Sequence, residues 1–341
     1  MALEAYSPIP IGEYGWIFIW DCPELLVILG ILHKIRTITL HSIVSGSYPV
    51  YNHATMPSKV AIVTDSTAYL PQDCLKQHNI SITPLSIIWG EQVYQDGVDI
   101  LPGEFYKRLA DSRVMPTTSQ VMPAVMQLTF ESLLLQSYDV LGIFLSSKIS
   151  GTVQSAMQAR SMLPYAAENI AIVDSLSTTM AMGWPVLTAA RAALAGESLT
   201  ECQKVAEHAC ANSGVLFVVE TLEYLRRGGR IGGAQALLGA VLNIKPVLEM
   251  REGKIEAAGK VRTKQRAVQH MLAVVAERLK GKTNIRVAVT HAGADAEAAS
   301  LLEVARAKLR PIETMCCPLS PVIGTHVGPG TMALNFMSGI A

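Results

Sequence analysis

At the centre of the chain lies the stretch Val140-Leu141-Gly142-Ile143-Phe144-Leu145-Ser146-Ser147-Lys148-Ile149-Ser150-Gly151-Thr152. Its first part is a short apolar run, its second part is rich in hydroxyl side chains, and a helix-forming segment comes next. Apolar runs that end in Asp-Ser also occur at residues 61–66 and 170–175. This alternation of short strands with helices predicts an α/β fold with a parallel sheet in the first half of the chain.

The same reasoning assigns elements to the rest of the sequence. Strands are predicted at residues 60–64, 82–87, 140–145, 170–173, 215–219, 247–250, 254–260, 285–290 and 314–317. Helices are predicted at residues 71–77, 102–112, 124–136, 151–163, 179–195, 199–211, 235–242, 264–280 and 294–309. The second half combines a hairpin, turning at Gly253, with helices, which predicts a mixed α/β domain. We therefore expect one domain at 56–212 and a second at 213–341.

The composition restricts the class of function. Half of the 341 residues are hydrophobic, 16% are charged, and Lys+Arg and Asp+Glu number 28 each, so no global field attracts nucleic acid or an anionic membrane. The 14 methionines suit a flexible apolar ligand, but they are equally ordinary core material. None of the six cysteines has the spacing of a redox or zinc motif, so we expect free thiols in a reducing cytoplasm.

Residues 1–55 differ in pattern from the remainder of the chain. Their apolar stretch is interrupted by Asp21, Pro23 and Glu24, which argues against a spanning helix. No Lys or Arg precedes Lys34, which argues against a secretory signal. We expect an atypical extension, either an over-extended gene start or a disordered leader, with an interfacial anchor as the alternative.

Four clusters of polar residues could form a site. Ser146–Thr152 precedes a predicted helix, where the unpaired N–H groups favour an anion, although Ser150 or Thr152 could simply cap that helix. Thr117-Thr118-Ser119 also precedes a predicted helix and could either cap it or contact an anion. Gly-rich sequence surrounds His326 after the last predicted strand, and a lone His is often structural. Three arginines lie on a Gly-rich turn, which could clamp an anion, dock a partner or be a solvated loop: Arg226, Arg227 and Arg230.

The sequence motifs of several enzyme and nucleotide-binding classes are absent from this chain. There is no phosphate-binding loop, the Gly328–Gly330 pair has no dinucleotide fingerprint around it, and no nucleophile elbow surrounds a serine. Four aspartates lie scattered without metal-ligand spacing, at positions 65, 96, 99 and 174. Asp65 and Asp174 each end a predicted strand before a Ser, as turn or N-cap residues do. We therefore expect no metal site and no catalytic residue.

In their order along the chain, these pieces resemble the DegV family of fatty-acid-binding proteins. The resemblance covers about residues 59–341 and leaves out residues 1–55. One departure is Val121-Met122-Pro123 after Gln120, where the family usually has Pro directly after Gln. The matching runs are Ala61-Ile62-Val63-Thr64-Asp65-Ser66-Thr67, Asp96-Gly97-Val98-Asp99, Pro116-Thr117-Thr118-Ser119-Gln120, Ser146–Thr152, Asp174-Ser175, Leu225-Arg226-Arg227-Gly228-Gly229-Arg230-Ile231, Lys245-Pro246-Val247-Leu248, Gly259-Lys260-Val261-Arg262-Thr263-Lys264 and His326-Val327-Gly328-Pro329-Gly330.

The resemblance implies a two-domain α/β fold with a long-chain fatty acid, such as palmitate, stearate or oleate, bound between the domains without a cofactor. It implies that Thr117 or Thr118, together with Ser147, binds the carboxylate. Ser119, Ser150, Gly151 and His326 are then expected close by. It also implies that the lipid is presented to a separate fatty acid kinase subunit related to dihydroxyacetone kinases. The expected docking residues for that kinase are Arg226, Arg227, Arg230 and Arg262.

Besides a kinase-like phosphotransferase, which the missing phosphate-binding loop argues against, two other functions remain open at this point. The first is a hydrolase that uses Ser147 as nucleophile and His326 as base, although the nucleophile elbow is missing. The second is a lipid sensor that reports fatty-acid supply through the face at residues 226–230, without a kinase.

Overall fold

The fold begins where the sequence first alternates strands with helices. The computed structural model describes residues 59–238 and 244–340. Its strands are β1 (Lys59–Asp65), β2 (Ile80–Thr83), β3 (Ser86–Trp89), β4 (Gln92–Gln95), β5 (Thr117–Ser119), β6 (Tyr138–Phe144), β7 (Ile170–Asp174), β8 (Ser213–Val218), β9 (Lys245–Arg251), β10 (Lys254–Val261), β11 (Arg286–His291), β12 (Glu313–Pro318) and β13 (Met332–Met337).

Helices connect most of these strands. They are α1 (Gln72–Gln77), α2 (Pro102–Asp111), α3 (Pro123–Leu135), α4 (Thr152–Ser161), α5 (Met180–Leu194), α6 (Leu199–Ala211), α7 (Glu223–Arg227), α8 (Lys264–Arg278), α9 (Asp295–Leu309) and α10 (Pro321–Val327). Short 3₁₀ helices lie at Ser66–Ala68, Pro164–Asn169 and Gly232–Leu237.

The first sheet is parallel, in the order β2-β1-β6-β7. Strand β1 is buried from Val60 to Asp65, as expected of a parallel strand that helices cover on both faces. The second sheet has the order β10-β9-β8-β13-β11-β12 and is mixed, because only β11 and β12 pair in parallel. The sequence-based prediction of an α/β fold with a parallel and a mixed part is therefore confirmed.

A third, antiparallel sheet has the order β4-β3-β5. It corrects the prediction of one strand at residues 82–87, because the chain breaks at Pro84 and Leu85 between β2 and β3. Proline has no N–H to donate to a sheet, which explains the break. It also corrects the interpretation of Thr117–Ser119 as a helix cap, because these residues form strand β5 and helix α3 begins later, at Pro123.

Two further differences concern the C-terminal part. The chain around His326 does not come after the last strand, since His326 lies on helix α10 and β13 comes after it. In the predicted helix at 235–242, the described residues form a 3₁₀ helix that ends at Leu237, and residues 239–243 lie outside the described part.

The hairpin predicted at Gly253 is present, with Glu252 and Gly253 both at positive φ (49° and 81°) between β9 and β10. The prediction for residues 1–55 lies outside the described residues, and the domain boundary at 212/213 stays a prediction. No helix within residues 59–238 and 244–340 has the length and apolar character needed to cross a membrane.

Candidate functional site

The candidate site is a cavity of about 230 Å³. A single water needs only about 10–15 Å³, so the cavity has room for a much larger ligand. Its apolar wall includes one face of α10, at Val322, Ile323 and Val327, together with side chains from the second sheet. Those sheet residues are Val215, Phe217, Met250, Ile255 and Ala333.

Three threonines also line this cavity, but their hydroxyls are used inside the protein. Thr178 donates to the hydroxyl of Thr67 (3.2 Å), Thr179 donates to the amide oxygen of Asn335 (2.6 Å), and Thr331 donates to the carbonyl of Val327 (3.0 Å). Because each hydroxyl already has a partner, a ligand would meet three polar residues whose hydrogen bonds are satisfied.

The polar part of the wall is built around Thr118 and His326. Strand β5 pairs with β3, which places Thr118 opposite Ile87, and helix α10 supplies His326. The hydroxyl of Thr118 lies 2.8 Å from Nε2 of His326. These two residues are 208 positions apart in the sequence, so only the tertiary fold could bring them together.

His326 is held in its neutral form. Burial, together with the positive charge of Arg230, lowers the pKa of His326 to about 4. Its second ring nitrogen, Nδ1, is buried without a hydrogen-bond partner among the described residues. A Cβ at Gly228 would overlap this nitrogen, so the glycine of the Arg-Arg-Gly-Gly-Arg motif allows the imidazole to pack against the backbone.

Arg230 belongs to the cavity wall. Its Nε donates to the carbonyl of Ile149 (3.1 Å) and its Nη1 to the carbonyl of Gly228 (2.7 Å). The guanidinium is thereby fixed beside the loop that carries Ser150. The sequence suggested a docking role for Arg230, whereas its position also makes it a source of positive charge at the cavity.

The other predicted docking arginines lie on the outside. Arg226 and Arg227 are exposed and pair with Glu223 (2.8 and 2.5 Å), whose pKa their hydrogen bonds lower to about 2. Arg262 is exposed, and no ion pair forms at it within the described part of the chain. These three residues are therefore accessible to a partner.

Ser150 and Gly151 line the cavity where helix α4 begins. Gly151 is the N-cap residue, and the Ser150 hydroxyl accepts from the amide of Thr152 (3.3 Å). A Cβ at Gly151 would overlap the side-chain amide of Gln120, which donates to the hydroxyl of Ser155 (3.0 Å). Gly151 thus allows the loop after β5 to pack directly on the start of α4.

Thr117 and Ser147 lie outside the cavity wall. Thr117 is exposed and precedes Thr118 on β5, so the two side chains point to opposite faces of the strand. Ser147 is exposed, and its amide donates to the carboxylate of Asp174 (3.2 Å). Of the predicted carboxylate-binding residues, the fold brings together Thr118, Ser119, Ser150, Gly151 and His326.

Buried Asp65 fixes the end of the first sheet next to this cavity. It caps the 3₁₀ helix at Ser66–Ala68 by accepting from the amide of Thr67 (2.9 Å), as the sequence indicated. Its other oxygen accepts from the amide of Leu145 (2.8 Å), a cavity residue. Burial raises the pKa of Asp65, against the effect of these hydrogen bonds.

Sequence reasoning gave no site role to Gln120, Ile149 and the three threonines, which all line the cavity. Gln120 and Ile149 lie within the polar segments that the sequence singled out and could have been included, but nothing local distinguishes the threonines. Within residues 59–238 and 244–340, no group of three or more His, Cys, Asp or Glu residues could hold a metal ion.

Comparison with known proteins identifies the family. The model of the family described as "Uncharacterised protein, DegV family" matches residues 59–339. A DegV domain-containing protein of Clostridium perfringens, CPE0304, is 36% identical over 279 residues, which cover 81% of this chain and 98% of that protein.

Solved structures of DegV family proteins are also similar to this chain. A fatty-acid-binding DegV family protein from Thermus thermophilus has a TM-score of 0.78 and 35% identity, covering 82% of this chain and 100% of that one. DegV from Bacillus subtilis, described as a fatty acid binding protein, has a TM-score of 0.75 and 34% identity, covering 83% and 100%. The chain belongs to the DegV family.

Proposed function

We propose that this protein binds one long-chain fatty acid in the cavity and presents its carboxylate to a separate fatty acid kinase subunit, without catalysing a reaction itself. The observation that carries the proposal is the Thr118–His326 pair, which lies with Ser150 and Arg230 in the wall of a cavity whose other side chains are mostly apolar. A few polar groups on a largely apolar wall are complementary to an amphiphile with one head group. The solved relatives described as fatty-acid-binding support the ligand class.

The head group is bound by hydroxyls and one guanidinium. With its proton on Nε2, neutral His326 donates to the Thr118 oxygen, and the Thr118 hydroxyl is then free to donate to the carboxylate. Arg230, fixed by two backbone carbonyls, contributes positive charge close to the same place. The Ser150 hydroxyl, on the same wall, is a second candidate donor.

Most of the affinity comes from the acyl chain. Burying about fifteen methylene or methyl groups at about 0.8 kcal/mol each yields roughly 12 kcal/mol before association costs. The head group therefore needs only orientation and satisfied hydrogen bonds. The cavity wall draws on residues before and after position 212, which supports a ligand held between two domains at 56–212 and 213–341.

The first test is native mass spectrometry of the purified protein, with extraction of any bound molecule. The expected result is one fatty acid per chain. A protein that stays empty after incubation with saturated and unsaturated fatty acids would contradict the proposal.

The kinase part needs its own test. Arg226 and Arg262 are exposed charged residues that a kinase subunit could contact. We expect Arg226→Ala and Arg262→Ala to reduce acyl-phosphate formation by the kinase without changing fatty-acid affinity. Arg113→Ala, at another exposed arginine, is the matched control. Equal phosphorylation of all three variants would exclude these residues as the docking site.

A further inference from the structure

The start of helix α10 is held by a tyrosine from a distant part of the chain. The hydroxyl of Tyr106, on helix α2, donates to the carbonyl of Leu319 (3.0 Å), and the two residues are 213 positions apart. Both residues are buried. Burial, together with the nearby Asp96 and Tyr69, raises the pKa of Tyr106 well above its ordinary value. The hydroxyl therefore keeps its proton and remains a donor to Leu319.

A glycine on α10 allows the tyrosine ring to lie directly against the helix. A Cβ at Gly324 would come within 2.5 Å of the Tyr106 hydroxyl oxygen and within 2.8 Å of two ring carbons. Any side chain at Gly324 would therefore push the hydroxyl of Tyr106 away from the carbonyl of Leu319.

Asp96 faces the same end of the helix. Burial raises the pKa of Asp96 to about 7, although hydrogen-bond donors at Ser66, Ser320 and Val322 oppose the rise. Ser320 is the N-cap residue of α10, and Val322 lies in its first turn. Asp96 and Tyr106 thus both act on the residues where α10 begins.

Helix α10 is too short to determine its own position. It has seven residues, Pro321–Val327, which make about two turns. Helices of this length are not stable in water without tertiary contacts. The contacts at the start of α10 therefore contribute to where its other end lies.

That other end carries the polar part of the candidate site. His326 Nε2 lies 2.8 Å from the hydroxyl of Thr118. From Ser320 to His326 the helix rises by about 9 Å, at about 1.5 Å per residue, so a displacement of its start is passed on through a short rigid segment. A movement of His326 away from Thr118 by about 1 Å would break their hydrogen bond.

We propose that Tyr106 is a positioning residue of the candidate site, which acts through α10 to keep His326 in contact with Thr118. Tyr106 itself lies outside the cavity wall. This inference rests on the proposed fatty-acid binding. It assigns a role in that binding to a residue that the ligand does not touch.

The first test measures the affinity for hexadecanoate by isothermal titration. Tyr106→Phe removes the hydroxyl and keeps the ring. Tyr94→Phe is the matched control, because the Tyr94 hydroxyl is also hydrogen-bonded, to Nη1 of Arg108 (2.7 Å), but lies on β4. We expect Tyr106→Phe to weaken binding about two- to tenfold, the range for one neutral hydrogen bond, and Tyr94→Phe to leave it unchanged. Gly324→Ala repeats the test if Tyr106→Phe does not fold.

A double-mutant cycle separates positioning from a general structural effect. If Tyr106 acts through the contact between His326 and Thr118, the loss of its hydroxyl costs little once Thr118→Val has removed that contact. We therefore expect Tyr106→Phe to change the affinity by less than about twofold in the Thr118→Val background. An equal loss in both backgrounds, or no loss in either, would overturn the inference while fatty-acid binding stands.

The second test uses the protein freed of lipid. Nitrogen-15 NMR of the histidine side chains at pH 7 shows which ring nitrogen carries the proton, and the His326 signals are assigned by their loss in His326→Gln. We expect one tautomer, with the proton on Nε2, in the unmodified protein and in Tyr94→Phe. In Tyr106→Phe we expect a mixture of both tautomers, because the contact with Thr118 no longer selects one.

The NMR result separates the inference from the proposed function. Unchanged His326 signals in Tyr106→Phe would refute the positioning role even if the protein binds a fatty acid. If the unmodified protein binds no hexadecanoate, the proposed function fails, and the His326 signals still decide whether Tyr106 positions this end of α10.

Discussion

The most informative single substitution is Thr118→Val, because it removes one hydroxyl and keeps the shape of the side chain. That hydroxyl lies 2.8 Å from His326 Nε2, at the place where we propose that the carboxylate is bound. A hydrogen bond to a charged group contributes roughly 1.5–3 kcal/mol, and tenfold in affinity corresponds to about 1.4 kcal/mol. We expect the dissociation constant for hexadecanoate to rise roughly ten- to hundredfold.

The assay is isothermal titration of ligand-free protein with hexadecanoate at pH 7, with thermal unfolding as a check on folding. Thr117→Val is the matched control, since Thr117 is the exposed neighbour on the same short strand. Thr118→Ser should restore most of the affinity, because it keeps the hydroxyl. A dissociation constant of Thr118→Val within twofold of that of the unmodified protein would refute the placement of the carboxylate. An equal loss of affinity in Thr117→Val would refute it as well.

Three further predictions concern individual groups. Asp96 has a pKa of about 7 in the fold against 3.8 ordinarily, so its native form holds its proton more tightly than the unfolded chain and stability falls as pH rises from about 4 to 7. The free energy of unfolding of Asp96→Asn, measured with urea, should therefore equal that of the unmodified protein near pH 4 and exceed it by up to about 4 kcal/mol at pH 8. An equal pH dependence of stability in both proteins would contradict this. Arg230→Ala should raise the pKa of His326 from about 4 toward its ordinary value, monitored by NMR titration, because the guanidinium charge disappears; an unchanged pKa would show that burial alone sets it. Gly151→Ala should displace Gln120 and weaken fatty-acid binding several-fold with little loss of folding stability, since the overlap is with a flexible side chain; undiminished affinity would show that this contact is dispensable.

The sequence was sufficient for the features that depend on near neighbours. Residues 60–64, 140–145 and 170–173 were recognisable as strands because an unbroken apolar run is typical of a parallel strand buried on both faces. The N-cap role of Asp65 and the turn at Gly253 could be predicted from short-range hydrogen bonding and backbone preference. The hydroxyl-rich segments could be picked out by residue type, and Thr118, Ser119 and Ser150 from them line the cavity, whereas their binding of a carboxylate stays a prediction.

The local sequence pattern did not predict strands whose formation depends on a neighbouring strand. Met332–Met337 contains no β-branched residue, yet it lies as β13 in the middle of the second sheet, between β8 and β11. Thr117–Ser119 is too short for its alternation to be read as a strand, and it becomes one only because β3 lies beside it. In both cases hydrogen bonds to distant segments outweigh the intrinsic preference.

Within the candidate site, the sequence determined which residue types were available, and the tertiary structure decided which of them face the ligand cavity. Thr117 and Thr118 are indistinguishable in sequence, but the pairing of β5 with β3 turns only Thr118 toward His326. Arg226 and Arg230 share one motif, yet the first lies outside and the second in the cavity wall. The physical reason is that a side chain's direction depends on strand register and helix packing, which contacts between residues far apart in the sequence establish.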